Sequence, residues 1–263
     1  MIVDGRAIAE RIYTEIRMQT EMSSHVPRLT IITCAPNFET QKYLALKEKK
    51  AKEVGIEIHI VEMKPEHTTE DFIAHINTGV EESDGVIVQL PLPSHIDTYG
   101  ILSIIPESHD VDALNLDHPQ TLSPVVGAIR EILSTHGLSV LGKQVTVIGN
   151  GRLVGLPVSQ WCIGQGAHVS VVTKETPDIA QYTRTADVIV CGAGIPGLLT
   201  PEMVKDGVII LDAGTSEDGG VLRGDADQSC ANKASLFTPV PGGIGPITIA
   251  ILLKNVSDCA TKP

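Results

Sequence analysis

The sequence predicts an α/β protein of two domains, each built on a parallel sheet, and three observations carry that reading. Strand-like and helix-like stretches alternate along nearly the whole chain, which is the grammar of βαβ units with helices on the sheet faces. The alternation dissolves around residues 104–123 into "IPESHDVDALNLDHPQTLS", a loop-like stretch rich in Asp, Pro and Ser that marks a boundary. Beyond it, "QVTVIGNGRLVGLP" (144–157) is an apolar run that breaks into glycines and then resumes a helical pattern.

The elements follow in order. "DGRAIAERIYTEIRMQT" has helical period and "RLTIITC" is a short β-rich run. "NFETQKYLALKEKKAKEVG" is helical and closes on Gly55, a glycine placed as a helix C-cap. "IEIHIVEM" alternates as a strand, "TTEDFIAHINTGV" is a helix with a Thr cap, and "DGVIVQLPLP" is a buried strand running into prolines. After the boundary come helix "VVGAIREILSTHG", strand "QVTVIG", helix "LVGLPVSQWCIGQG" and strands "AHVSVVT", "ADVIVCGAG" and "GVIILDAG". A Gly-rich hairpin, "SEDGGVLRGD", precedes the last helix, "GPITIAILLKNVSDCA", which is apolar over two turns and so packs between other elements.

Composition narrows the function. With 263 residues, one large domain or two small ones could each bury a core. A formal net charge of −12 argues against a nucleic-acid or membrane-surface partner. The five cysteines are odd in number and never spaced as CxxC, which fits a reducing compartment and offers no metal signature. The start, "MIVDGRAIAERI", has no basic or apolar leader pattern, and no apolar run approaches a membrane span. A cytoplasmic protein is expected.

The glycine run reads Gly149-x-Gly151-x-x-x-Gly155 between a strand and a helix. That is the context a dinucleotide site requires, because glycines admit a pyrophosphate to the backbone and the helix N-terminus offers N–H groups and a positive dipole end. A tight βα turn is the plainer alternative. Two features favour the dinucleotide: the next strand ends in "TKET", where a ribose would be read, and the third in "CGAGIPG", a second glycine turn. In "TQKYLALK", Tyr43 and Lys47 share a helix face at i and i+4. A lysine whose pKa is lowered by burial can move protons, but the same helix carries Lys42, Lys49, Lys50 and Lys52, so a solvated lysine is the competing reading. Gln89 ends a buried strand and needs a partner if it faces inward. Asp110 and Asp112 in "HDVDALN" could bind a metal, cap a helix or accept hydrogen bonds from a ligand. "TPVPGGIGPITIA" packs prolines and glycines ahead of an apolar helix, a loop costly to order without a purpose.

Asp4-Gly5, Tyr43-x-x-x-Lys47, "DGVIVQLPLP", "DVD", the glycine turn, "DAG…GDAD" and "TPVPGGIGPITIAILL" stand in the order and spacing of one family. The chain resembles, along essentially its whole length, the FolD family of bifunctional methylenetetrahydrofolate dehydrogenase/methenyltetrahydrofolate cyclohydrolases. The resemblance implies a folate and catalytic domain at 1–115, a Rossmann-like NAD(P)-binding domain at 116–243, and a C-terminal helix (244–263) returning to the first domain. It implies that a cleft between the domains holds folate against the nicotinamide. It makes Lys47 the catalytic residue, with Tyr43 stacked on the folate's aminobenzoate ring and Gln89 hydrogen-bonded to Lys47. Asp112 takes the pterin N–H groups, and Pro241, Gly242 and Gly245 wall the folate pocket. The cofactor falls to Gly149, Asn150, Gly151, Arg152, Gly155, Thr173, Lys174, Gly192 and Thr215.

Tetrahydrofolate derivatives are the implied ligands, NADP the favoured cofactor with NAD the alternative, no metal is implied, and a homodimer is the implied assembly. The family's "GRS" is here Gly149-Asn150-Gly151, its "HSR" is Thr173-Lys174-Glu175, its "KDVDG" is His109 to Ala113, and its "PCTP" is unrecognisable in "LSPVVGA". All but the "KDVDG" change bear on the cofactor, so a member reduced to cyclohydrolase chemistry, or to folate binding without turnover, is the alternative. Lys174 stands where relatives keep a phosphate-binding serine, and Arg152 could replace the arginine lost at Asn150. Strand alternation would let only one of Lys174 and Glu175 face the ribose.

Overall fold

A computed structural model describes residues 1–36, 38–115, 122–219 and 221–261. The chain forms two compact units, Glu10–Pro124 with Ile249–Pro263, and Met1–Ala9 with Val125–Thr248.

The first unit takes in most of α1 (Gly5–Met22), then β1 (Arg28–Cys34), α2 (Phe38–Glu53), β2 (Glu57–Met63), α3 (Thr69–Glu82), β3 (Gly85–Val88) and the short α4 (Thr98–Ser103). Its sheet is parallel in the order β2-β1-β3. Central β1 is buried from Leu29 to Cys34, as a strand covered on both faces must be, whereas edge strand β2 is only partly buried. The Thr cap of α3 is a reciprocal box: the Thr68 hydroxyl accepts the Asp71 N–H at 3.3 Å and the Asp71 carboxylate accepts the Thr68 N–H at 2.8 Å. The helix then turns Phe72, Ile76 and Gly79 inward at helical spacing.

The second unit holds α5 (Pro124–Thr135) from its second residue, β4 (Gln144–Ile148), α6 (Gly155–Gly164), β5 (His168–Val172), α7 (Ala180–Thr183), β6 (Val188–Cys191) and β7 (Ile209–Asp212). The hairpin β8 (Ser216–Asp218) and β9 (Val221–Arg223), then β10 (Leu236–Phe237) and the start of α8 (Ile244–Ala260), complete it. The five-stranded sheet is parallel in the order β10-β7-β6-β4-β5. From β4 the chain steps to β5 on one side and then crosses to β6 on the other, so the order reverses between β4 and β6. Open α/β sheets bind ligands at the carboxyl ends of strands flanking such a reversal.

Differences from the sequence reading lie in short elements and boundaries. The four-residue α7, the six-residue α4 and the two-residue β10 carry too few residues to show a period. Residues 1–9 join the five-stranded unit rather than the domain that follows them: Ile2 bridges alongside Phe237, the Val3 N–H donates to Phe237 O at 2.9 Å, and the Met1 ammonium donates to Ser235 O at 2.9 Å. The division falls at 124/125 and again inside α8 at 248/249, against expected borders after 115 and 243. The expected boundary loop is described only in part, since residues 116–121 lie outside the described residues. In α8, Ile247, Ile249, Ala250, Ile251, Leu252, Leu253 and Val256 are all buried, so its apolar surface is enclosed on every side.

Candidate active site

Along α2, Leu44, Lys47 and Ala51 are buried at the spacing of one helix face, while Lys42, Lys49 and Lys52 are exposed. Lys47 therefore belongs to the core-facing stripe, and its 9% exposure separates it from the solvated lysines around it. Its ammonium donates to Gln89 Oε1 at 3.1 Å. Gln89 extends the line of β3, with its backbone N–H donating to Ile32 O at 2.8 Å and its Nε2 to Leu90 O at 3.2 Å. The amide nitrogen is thus engaged, which leaves the oxygen turned to Lys47. Burial pulls the Lys47 pKa below its ordinary value, and the nearby Asp112 charge opposes this. Burial pushes Asp112 up to about 6, against the pull of Lys47 and with a smaller push from Asp110. Half-buried Tyr43 sits one turn before Lys47 on the same helix.

The two loop acids divide their roles. Asp110, 2% exposed, accepts the Leu114 N–H at 2.9 Å and the Asn115 N–H at 2.8 Å, wrapping the chain around its own carboxylate. Asn115 Nδ2 donates to Ser103 O at 2.9 Å and Ile105 O at 3.0 Å, and Asn255 Nδ2 on α8 donates to Val111 O at 2.9 Å and Leu122 O at 3.1 Å. The loop is braced on three sides, and Asp112 is the acid whose charge meets Lys47. Among the described residues no group of three or more His, Cys, Asp or Glu could hold a metal ion.

At the tip of this loop Ala113 has φ +54°, a left-handed conformation costing an L-residue roughly 1–2 kcal/mol, where the family pattern has glycine. Ala113→Gly should therefore raise stability by about 1 kcal/mol, or Tm by about 2–4 °C, less the added freedom of glycine in the unfolded chain. A thermal melt of the two proteins checks this, and a lower Tm for the variant would contradict it.

In the other unit, the glycine turn after β4 sits at the strand-order reversal. A Cβ on Gly155 would lie 2.1 Å from Gly149 O, and one on Gly149 would lie 2.6 Å from Gly192 O, so close backbone approach excludes side chains there. Gly149 also has φ +99°. The Gly192 turn follows β6, and its Cβ position is filled by Val154. The two glycine turns thus interlock at the carboxyl ends of β4 and β6, with the N-terminus of α6 opening from the first. Exposed Asn150 and Gly151 and half-buried Arg152 line the first turn, with open space where a Cβ on Gly151 would go. Half-buried Thr215 follows β7.

Beyond β5 the expected alternation does not hold. The strand ends at Val172, and Thr173–Thr176 form a tight turn in which the Thr173 hydroxyl accepts the Glu175 N–H at 3.2 Å and the Thr176 hydroxyl accepts the Thr173 N–H at 3.0 Å. Lys174 and Glu175 are both exposed and lie 3.8 Å apart, so both present their charges at the turn's tip.

Pro241, Gly242 and Gly245 lie in this unit too, in the loop and first turn of α8. Gly242 has φ +108°, its carbonyl accepts the Gly5 N–H at 3.0 Å, and the peptide before Pro241 is cis. Sequence reasoning missed Asp212 and Asp225 except as part of a motif. Both are fully buried, and Asp212, pushed up to about 7 by burial, accepts the N–H groups of Gly214 (3.0 Å), Asp225 (3.3 Å) and Ala226 (2.8 Å). Their signal was the repeated Gly-Asp pairing in "DAG…GDAD".

Comparison with known proteins matches both units to one family. Residues 3–112 match the family model described as tetrahydrofolate dehydrogenase/cyclohydrolase, catalytic domain, and residues 123–263 match its NAD(P)-binding domain. The bifunctional protein FolD of Aliarcobacter butzleri is 36% identical over 97% of this chain and 94% of its own. That of Hydrogenobaculum is 33% identical over 97% of this chain and 96% of its own. Among solved structures, the bifunctional FolD enzyme of Campylobacter jejuni superposes with a TM-score of 0.93 at 33% identity, covering 99% of this chain and 98% of that one. The Trypanosoma brucei enzyme, complexed with NADP cofactor and inhibitor, gives 0.92 at 33% identity over 99% and 97%. With both of its units matched and relatives this similar along nearly its full length, the chain belongs to the tetrahydrofolate dehydrogenase/cyclohydrolase family.

Proposed function

We propose that the protein oxidises 5,10-methylenetetrahydrofolate with NADP to 5,10-methenyltetrahydrofolate and hydrolyses that product to 10-formyltetrahydrofolate. The observation that carries the reading is a buried lysine whose ammonium meets an oriented glutamine oxygen and the charge of an aspartate. In the hydrolysis, water adds to the methenyl carbon and gives up one proton. The C–N5 bond then breaks as the carbinol O–H loses its proton to become the formyl C=O and N5 gains one, so that one proton is released overall. Lys47, with a lowered pKa and a fixed partner, is equipped to take the first proton and deliver the one that N5 gains. Gln89 keeps the amine in place through both states, since either form retains N–H groups for its oxygen. Tyr43 offers a ring one helical turn away for the aminobenzoate. The Asp112 carboxylate suits the guanidine-like edge of a pterin.

The interlocked glycine turns fit a dinucleotide, since the Cβ positions of Gly149, Gly155 and Gly192 are closed by backbone or Val154, that of Gly151 is open, and α6 begins at their rim. Gly149, Asn150, Gly151, Arg152 and Gly155 would hold the pyrophosphate side, with Gly192 closing the space beside Gly149 and Thr173, Lys174 and Thr215 toward the ribose. NADP supplies the hydride acceptor for the oxidation. NADP is favoured over NAD because Lys174 stands at the exposed tip beyond β5, where its 3.8 Å pair with Glu175 is too solvated to tie up its charge.

A coupled assay tests the reading: reduced cofactor should appear with methylenetetrahydrofolate, and the methenyl chromophore should decay without cofactor. Chromophore decay alone would leave a cyclohydrolase, and neither signal would leave a binding protein. In the same assay Lys174→Ala should raise KM for NADP about tenfold and barely change that for NAD. A parent faster with NAD than with NADP would assign the ribose to Glu175.

A homodimer through the NAD(P)-binding unit is part of the proposal. Edge strand β5 exposes Val171 (41%), and Ile163 of α6 (61%) and Leu141 (70%) add apolar surface on the same unit. Sedimentation at about twice the 28.0 kDa chain mass is the expected result. The cysteines, four of them buried and none in a disulfide among the described residues, accord with a cytoplasmic setting.

A further inference from the structure

We infer that Asp225, seconded by Ser216, is a positioning residue for the cofactor: it locks the second glycine turn and leaves anion binding to the first. The inference rests on the NADP reading above. Asp225 is fully buried, yet its carboxylate touches the one exposed stretch of the turn after β6. Oδ2 accepts the Ala193 N–H at 2.6 Å and the Gly194 N–H at 3.1 Å, and Oδ1 accepts the Ile195 N–H at 2.8 Å. Ser216 holds the same turn from its other side, its hydroxyl donating to Gly194 O at 2.8 Å. Gly194 is therefore gripped at both its N–H and its C=O.

Successive N–H groups converging in a turn form a concavity for an anion. Here the protein supplies the anion itself. A cofactor phosphate at this turn would have to displace a buried carboxylate from three hydrogen bonds, which the low local dielectric makes costly. The second turn consequently meets a dinucleotide through its carbonyls and its surface, and the phosphates fall to the first turn and the N-terminus of α6.

The clamp also reaches the first turn. Fixing residues 193–195 fixes Gly192, whose carbonyl closes the space beside Gly149 and whose own Cβ position abuts Val154 at the entrance to α6. The chain makes room for the clamp at Gly214, where a Cβ would lie 2.2 Å from the Asp225 carboxyl carbon, so no larger residue fits beneath it.

The test is Asp225→Asn and Ser216→Ala, with NADP binding measured by calorimetry, KM for NADP in the dehydrogenase assay, and cofactor-free hydrolysis of methenyltetrahydrofolate on the same preparations as internal reference. An asparagine keeps the shape but turns an NH₂ against backbone N–H groups. Asp225→Asn should weaken NADP binding and raise its KM at least tenfold, well beyond any change in hydrolysis. Ser216→Ala, which removes one bond at the surface, should raise KM for NADP severalfold with kcat nearly kept. A folded Asp225→Asn protein with parental NADP affinity overturns the inference. If Asp225→Asn does not fold, Ser216→Ala decides: a severalfold rise in KM supports the clamp and an unchanged KM overturns it. A parent that hydrolyses methenyltetrahydrofolate yet binds no NADP overturns the cofactor reading and this inference with it, whereas parental binding unaffected by either variant overturns this inference alone.

Discussion

Replacing Lys47 by methionine should lower methenyltetrahydrofolate hydrolysis by about 10²–10⁴-fold while folate binding stays measurable. Methionine matches the lysine stem in length and tolerates burial, so Leu44 and Ala51 keep their neighbour along the inner stripe of α2. What disappears is the ammonium that Gln89 accepts at 3.1 Å, and with it the group able to take a proton from water and return it to N5. Losing a buried cation also removes its desolvation cost, so the variant should melt no lower than the parent, apart from the unpaired Gln89 oxygen. Stopped-flow decay of the methenyl chromophore gives the rate. Hydrolysis at the parental rate would remove Lys47 from the mechanism.

Asp112→Asn should weaken folate binding roughly ten- to a hundredfold, the worth of a charge-assisted hydrogen bond of about 1.5–3 kcal/mol, and leave NADP affinity near parental. Titrating both ligands into the variant checks this, and equal losses would contradict it. The pH profile sharpens the test. With its carboxyl pushed up to about 6, Asp112 is protonated in much of the free protein on the acid side, so parental KM for folate should fall as pH rises through about 6. Asp112→Asn should flatten that slope. The sign for stability is opposite. An unfolded Asp titrates near about 3.9, so between about pH 4 and 6 the folded chain keeps a proton the unfolded chain has lost, and ionised Asp112 costs stability above that window. The variant should lose affinity at neutral pH without losing Tm.

The fold was legible wherever a segment was long enough to show a period. Phe72, Ile76 and Gly79 announce the inner face of α3, and Thr68 its start. Two-residue β10 has no period to read, and its pairing with Ile2 joins residues more than 230 apart, beyond any local pattern. At the site, Lys47 and Gln89 were named from one helix face and one strand end, but their contact depends on where α2 lies against β3, which no spacing encodes. Asp112 was singled out from Asp110 only through the family resemblance, not from the residues themselves. Alternate positions in a loop do not say which acid turns inward to the backbone and which turns to Lys47. The Asp225 clamp depends on a hairpin bringing residue 225 back to residue 193, so only the folded chain reveals it.

The path of the chain through the two units has a consequence for how this protein can be cut and recombined. Each unit draws chain from both ends: the first nine residues edge the later sheet, and residues from 249 onward go back to the earlier one. Neither unit is a cassette that one pair of cuts could lift out. A fragment begun at residue 123 would lack the strand residues that pair with Phe237 and would bare β10 as an unpaired edge. A fragment stopped at residue 115 would lack Asn255, which ties down the loop carrying Asp112. Swapping cofactor specificity by grafting a whole NAD(P)-binding half from a relative therefore requires transplanting the amino terminus with it, and point changes around Lys174 and Arg152 are the more direct route.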